Sequence, residues 1–172
     1  NARSSGLSTI PPEHMHEATW FLQDALMFVG GGSASTAGGI KVTTFAILVL
    51  AILAEARGDR DIEAFGRSIT LSSVRLSVAV AFIGASIIGV ATLLMLEMTN
   101  LTLDRILFEV VSAFATVGLS TGITQTLPTS AKYVIVVLMF VGRVGTMTAA
   151  TALAMRERRR VIRMPAERPL IG

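Results

Sequence analysis

The chain has 172 residues, 52% of them hydrophobic and only 16% charged, with 15 Lys and Arg against 12 Asp and Glu. An average soluble domain is about a quarter charged; here the charges gather in short segments between long apolar runs, which is the layout of a protein embedded in a bilayer. The lack of cysteine excludes a disulfide framework, a thiolate zinc site and a cysteine nucleophile.

Asn1 to Ile10 reads as loop, with neither an initiating Met nor a leader in front of it. The expectation is therefore a C-terminal part of a longer chain. Glu17 to Glu55 follows as one largely apolar region. As a single straight helix it would run about 58 Å, far beyond a hydrocarbon core of about 30 Å. Its centre reads Gly30-Gly31-Gly32-Ser33-Ala34-Ser35-Thr36-Ala37-Gly38-Gly39. Such glycine density opposes continuous helix. A broken helix is predicted, with an arm from Ala18 to Val29, an unwound stretch, and a second arm from about Val42 to Ala54. Unwound backbone at membrane depth is tolerated only inside protein or beside a wet cavity, so the stretch is a pore-lining candidate. Lys41 follows it directly and either touches the same cavity or anchors the second arm. The stretch is not a nucleotide-binding loop, because Ile40 separates Gly39 from Lys41 and no strand–loop–helix unit surrounds it.

Leu76 to Leu96 carries no charge and is bracketed by Arg75 and Glu97; it reads as a membrane span rich in small residues suited to close packing. Leu107 to Leu119 is too short to cross and contains Glu109, which favours a re-entrant half-helix followed by an extended loop. Glu97, Asp104 and Glu109 read as lying at or near the outer face, either concentrating cations or marking interfacial ends. Ala131 to Met155 can span, interrupted only by Lys132 and Arg143. Arg57, Arg60 and Arg67 crowd one loop, and Arg156, Arg158, Arg159, Arg160, Arg163 and Arg168 crowd the tail. The positive-inside rule puts both on the cytoplasmic side, and three crossings agree with that. The tail itself suits anchorage, lipid contact or a partner. Trp20 and Tyr133 fall where an aromatic belt would place them. His14 and His16 read as solvated loop residues more readily than as metal ligands.

Laid against itself so that Gly6 falls on Gly118, the chain repeats without a gap. Gly6-Leu7-Ser8-Thr9 matches Gly118-Leu119-Ser120-Thr121, and Leu26-Met27-Phe28-Val29-Gly30 matches Leu138-Met139-Phe140-Val141-Gly142. Two blocks in one register indicate duplication. The unit is a re-entrant half-helix, a loop and a descending helix, and the first copy lacks its half-helix. Arg143 sits where the other copy enters its glycine stretch. A charge at that depth faces a cavity or a partner. It either taxes cations in a permeation path or pairs with a carboxylate from another segment.

Thr116-Val117-Gly118-Leu119-Ser120 resembles the Thr-Val-Gly filter signature of potassium channels, in which backbone carbonyls replace the hydration shell of the ion. The corresponding residues of the first copy are Ser4-Ser5-Gly6-Leu7-Ser8. With Asn1 to Leu7, Met27 to Phe45, Phe108 to Gly122 and Met139 to Gly145, the chain resembles the Trk/Ktr/HKT superfamily of cation transporters. Its closing Pro165 to Gly172 looks most like the membrane subunit of the bacterial Ktr system.

The resemblance implies an all-α integral membrane protein of repeated helix–pore loop–helix units, four per subunit around one pore. Residues 1–55 would hold the third filter loop and the glycine-interrupted helix, 56–68 a cytoplasmic linker, 69–155 the fourth repeat, and 156–172 the basic cytoplasmic tail. Potassium would bind at Ser4, Ser5, Gly6, Leu7, Thr116, Val117, Gly118, Leu119 and Ser120, with Ser4 less secure than Thr116. The stretch from Gly30 to Gly39 would gate beneath, beside Arg143. A homodimer in the bacterial cell membrane on a cytosolic nucleotide-binding ring is implied. No covalently bound cofactor and no nucleic-acid partner is expected. Channel-like and sodium-coupled transport both suit the residues. A non-conducting scaffold is the alternative; a membrane enzyme is disfavoured, because no acid–base pair, nucleophile–His pair or metal-ligand cluster lies in the apolar segments.

Overall fold

A computed structural model describes residues 6–32, 37–58, 62–64 and 67–145. Ser4, Ser5, Ser33, Ala34, Ser35, Thr36 and the arginine tail lie outside the described residues. A short 3-10 turn, Pro12–His14, precedes α1, Glu17–Phe28. After the glycine-rich segment comes α2, Val42–Arg57, which stops at Gly58 in the left-handed conformation, the usual glycine exit from a helix. A small antiparallel hairpin joins α2 to the next helix: β1, Ile62–Ala64, pairs with β2, Arg67–Ile69, with Ile62 opposite Ile69. The structure is mostly helical, as expected, with this hairpin as a small addition. Three-residue strands are too short to show a period-2 pattern in sequence.

α3, Leu71–Met98, is the one helix among the described residues long and apolar enough to cross a membrane. At 1.5 Å per residue it is about 42 Å long. Its buried residues Ser77, Val80, Gly84, Ile88, Ala91 and Met95 recur every three or four positions and form one stripe. Gly84 lets the Phe114 ring and Ile40 come close: a Cβ there would meet Phe114 Cζ at 3.5 Å and Ile40 Cγ1 at 3.6 Å. Phe82, Val90 and Leu93 point outward and exposed. Their faces are the opposite of what a water-soluble surface selects.

α4, Leu103–Phe114, is only about 18 Å long, yet every residue from Phe108 to Phe114 is buried. It sits among α1, α3 and α5 and makes the core of the described structure. Trp20 does not lie on an outer belt. Its ring is buried 6.3 Å from that of Phe108, and its indole N–H donates to the Pro12 carbonyl at 2.8 Å. Satisfying that donor makes the inward placement affordable. Tyr133 is exposed, as a belt residue would be. α5, Thr129–Phe140, passes into one π-helical turn, Val141–Gly145. The remainder of the expected span to Met155 lies outside the described residues.

Candidate ion-coordinating site

The loop after α4 is pinned by its own helix. The amides of Ala115, Thr116 and Val117 donate to Val111, Ala113 and Ser112 at 2.8, 3.1 and 2.9 Å. Further along, Ser112 Oγ donates to the Leu119 carbonyl at 2.6 Å, and Ser120 Oγ donates to Glu109 Oε1 at 2.9 Å. Thr124 Oγ1 donates to the same carboxylate oxygen. Glu109 is 5% exposed. It is therefore a buried post behind the loop and not a charge at the outer mouth. Neither the spacing nor the hydropathy of α4 distinguished these two placements.

Between the pinned ends stand Thr116, Val117 and Gly118. Among the described residues no donor reaches their three carbonyls. Thr116 has φ 54° and Gly118 φ 86°. Gly118 adopts this at little cost, but a β-branched residue there is an outlier worth about 1–3 kcal/mol, held only by its surroundings. Such a backbone turns successive carbonyls in unusual directions. Gly6, also at positive φ (62°), lies directly alongside. A Cβ on Gly118 would meet Gly6 Cα at 3.4 Å, and a Cβ on Gly6 would meet the Val117 carbonyl oxygen at 3.5 Å. The two glycines that the internal repeat equates thus meet in space. Leu7 is exposed, and Leu119 is buried with its carbonyl already bonded to Ser112. Ser4 and Ser5 cannot be placed, being outside the described residues.

The two roots of the glycine stretch are clipped together. Val29 and Ile40 form a parallel bridge, and the amides of Gly30, Ile40 and Val42 donate to Ile40, Phe28 and Gly31 carbonyls at 2.7, 3.1 and 3.2 Å. Lys41 Nζ donates back to the Ala37 carbonyl at 3.1 Å. Gly31, Ala37, Gly38 and Gly39 are buried, whereas Gly32 is exposed. The far root touches the filter-like loop: Gly38 N–H donates to Thr116 Oγ1 at 2.9 Å. A Cβ on Gly38 would fall 2.8 Å from the Phe114 carbonyl oxygen, and one on Gly142 would fall 1.9 Å from it. The stretch and the π turn bearing Arg143 therefore flank the same carbonyl at the base of the loop. Arg143 itself is exposed.

Asp24 was legible but not singled out. It sits inside the apolar arm of α1, where any ionisable residue is a functional flag. It is 8% exposed, and its Oδ1 finds no hydrogen-bond partner among the described residues. Glu109 Oε2 and Thr121 Oγ1 are likewise buried without one. His14 and His16 are exposed, and no group of three His, Cys, Asp or Glu suited to a metal occurs among the described residues.

Known proteins include several relatives of this chain. Ktr system potassium uptake protein D of Bacillus subtilis (strain 168) is 38% identical over 170 residues, 99% of this chain and 38% of that protein. Ktr system potassium uptake protein B of Vibrio alginolyticus is 34% identical over 172 residues, 100% of this chain and 38% of that protein. Potassium/sodium uptake protein NtpJ of Enterococcus hirae is 39% identical over 162 residues, 91% of this chain and 36% of that protein. The chain thus spans little more than a third of the length of these relatives, all of which carry the names of uptake proteins and not of enzymes. The family of TrkH cation transport proteins matches residues 1–162, and the chain belongs to that family.

Proposed function

We propose that this chain forms two of the filter loops and the gate of a potassium-translocating membrane subunit. One observation carries the reading: the carbonyls of Thr116, Val117 and Gly118, claimed by no donor among the described residues, stand beside the repeat-equivalent Gly6. Carbonyl rings of this kind strip and replace the hydration shell of a monovalent cation. Ser4 and Ser5 would extend the loop of Gly6. The loop after α4 would be re-entrant, since α4 is too short to cross. α1 and α2 would be two arms of one interrupted helix, with Gly30 to Gly39 as a gating loop between them. Arg143, one residue from the contact of Gly142 with Phe114, would add an electrostatic barrier beneath the filter.

The domain plan follows the repeat. Residues 1–55 hold one repeat without its half-helix, 56–68 link on the cytoplasmic side, 69–155 hold a complete repeat, and 156–172 form a basic cytoplasmic tail. Further repeats would complete the ring, in keeping with relatives more than twice as long. The names of those relatives support potassium as cargo, with sodium as a second or coupled ion. The word "system" in two of them supports a separate regulatory subunit, for which a cytosolic nucleotide-binding ring beneath a homodimer is the arrangement proposed. Rubidium uptake into vesicles containing the full-length protein tests the reading. Saturable uptake competed by potassium is expected; its absence in a correctly inserted protein would reject transport in favour of a scaffold.

A further inference from the structure

Gly38 belongs to the glycine stretch by sequence, yet the structure separates it from the rest of that stretch. It lies two residues before the bridge of Ile40 with Val29, and its amide is spent on Thr116 Oγ1 at 2.9 Å. The clip of three backbone hydrogen bonds between residues 28–31 and 40–42 fixes its position from one side. From the other, the Phe114 carbonyl and the Thr116 side chain leave no room for a Cβ, the nearest approaches being 2.8 and 2.9 Å.

We propose that, within the stretch from Gly30 to Gly39 read above as the gating loop, Gly38 is a fixed positioning residue of the ion filter and not a moving part. It rests on the reading of Thr116 to Gly118 as filter. Thr116 holds φ 54°, a conformation that persists only where neighbours over-determine it. α4 supplies two constraints, through the Thr116 amide on the Ala113 carbonyl at 3.1 Å and the Val117 amide, which shares a peptide with the Thr116 carbonyl, on the Ser112 carbonyl at 2.9 Å. Gly38 supplies a third, on the side chain. A hydroxyl accepting this bond is confined to one rotamer and keeps its own proton and its second lone pair. With its two flanking peptides and its side chain all held, the Thr116 carbonyl has one direction, and so has any ligand oxygen it offers. Loss of the Gly38 bond would release the side chain and let the backbone relax toward ordinary φ. Ion discrimination would then suffer, whereas passage past the gate would not.

The test removes the donor; it also weakens the Ala37 carbonyl as an acceptor for Lys41 Nζ, equally in every Thr116 background, so the comparison between backgrounds isolates the Gly38 bond. In the full-length protein, glycolic acid in place of Gly38 converts the 37–38 amide into an ester, deleting the N–H without adding an atom. Rubidium uptake is measured with potassium and sodium as competitors, alongside uptake at saturating rubidium and thermal stability in detergent. One neutral hydrogen bond is worth about a two- to tenfold change in an equilibrium, so potassium over sodium preference should fall about two- to tenfold, with saturating flux little altered. Thr116→Ser keeps the acceptor and should show the same ester effect. In Thr116→Val, which lacks it, the ester should add nothing further. An ester effect of equal size in Thr116→Val, or a folded ester protein with unchanged discrimination, overturns the proposal. If Thr116→Val does not fold, the ester in the wild-type and Thr116→Ser backgrounds still decides, since unchanged discrimination in both refutes it. Absence of any rubidium uptake by the wild-type protein would instead sink the transport reading beneath it.

Discussion

Gly118→Ser is the sharpest perturbation of the filter. Gly118 holds φ 86°, and an L residue in the left-handed region pays about 1–2 kcal/mol. The new Cβ would stand 3.4 Å from Gly6 Cα, a tight but tolerable contact, so the strain sets the scale. Each 1.4 kcal/mol or so is tenfold in an equilibrium, and the native loop geometry should lose about five- to thirtyfold against relaxed alternatives. The bonds of Ser112 to Leu119 and of Ser120 to Glu109 lie outside the altered peptide, so the protein should still insert and fold. Rubidium uptake competed by sodium should show potassium preference reduced about tenfold. Gly89→Ala is the control, since nothing lies within 4 Å of a Cβ there; it should leave preference unaltered. A well-folded Gly118→Ser protein with native discrimination would remove Gly118 from the filter.

Glu109→Ala strips a shared acceptor from two half-buried hydroxyls, which keep each other as partners at 2.9 Å. At about 1 kcal/mol for a lost hydrogen bond it should lower thermal stability and ion preference together, while Glu109→Gln, which retains an acceptor oxygen, should do less; equal effects would deny the post its role. Arg143→Gln, and separately deletion of Ser33 to Ala37, should each raise rubidium flux per folded molecule. If Arg143 instead pairs structurally, Arg143→Gln should lower folded yield by leaving its partner unpaired, and a stable protein with unaltered flux in both variants would end the gate assignment. Gly142→Ala should unfold the base of α5, because its Cβ would overlap the Phe114 carbonyl at 1.9 Å; a native melting temperature would contradict that approach. The 172-residue chain alone, reconstituted in vesicles, should not conduct, since its two loops come with one half-helix; rubidium flux through it would show that no further repeat is required.

Much of this arrangement was legible in sequence because it is local. Five glycines in ten residues stop α1 at Phe28 and delay α2 to Val42. Twelve helical residues before Gly118 are too few to cross. The repeat register pointed to Gly6 and Gly118 as equivalents, and they touch. What escaped depends on partners distant in the chain. Trp20 turns inward because Pro12 takes its N–H and Phe108 meets its ring. Glu109 is internal because Ser120 and Thr124 return to it. The bond from Gly38 to Thr116 joins residues 78 apart, and no periodicity encodes such a pairing. The π turn at Val141–Gly145 lies where the Phe114 carbonyl comes against Gly142, a contact made by another helix.

The burial of α4 from Phe108 to Phe114 has a consequence for how the chain is made. A short helix containing Asp104, Arg105 and Glu109 is a poor candidate to enter lipid unaided. Its burial needs α1 and α3, which are synthesised before it, and α5, which emerges after it. The loop of Thr116 to Gly118 should therefore take its fixed form only after α5 has left the ribosome and packed on α4, although its own residues are translated earlier. A cysteine replacing Ser112, which is 2% exposed in the assembled structure, should react with a water-soluble thiol reagent in nascent chains cut after Pro128 and be shielded once α5 is present.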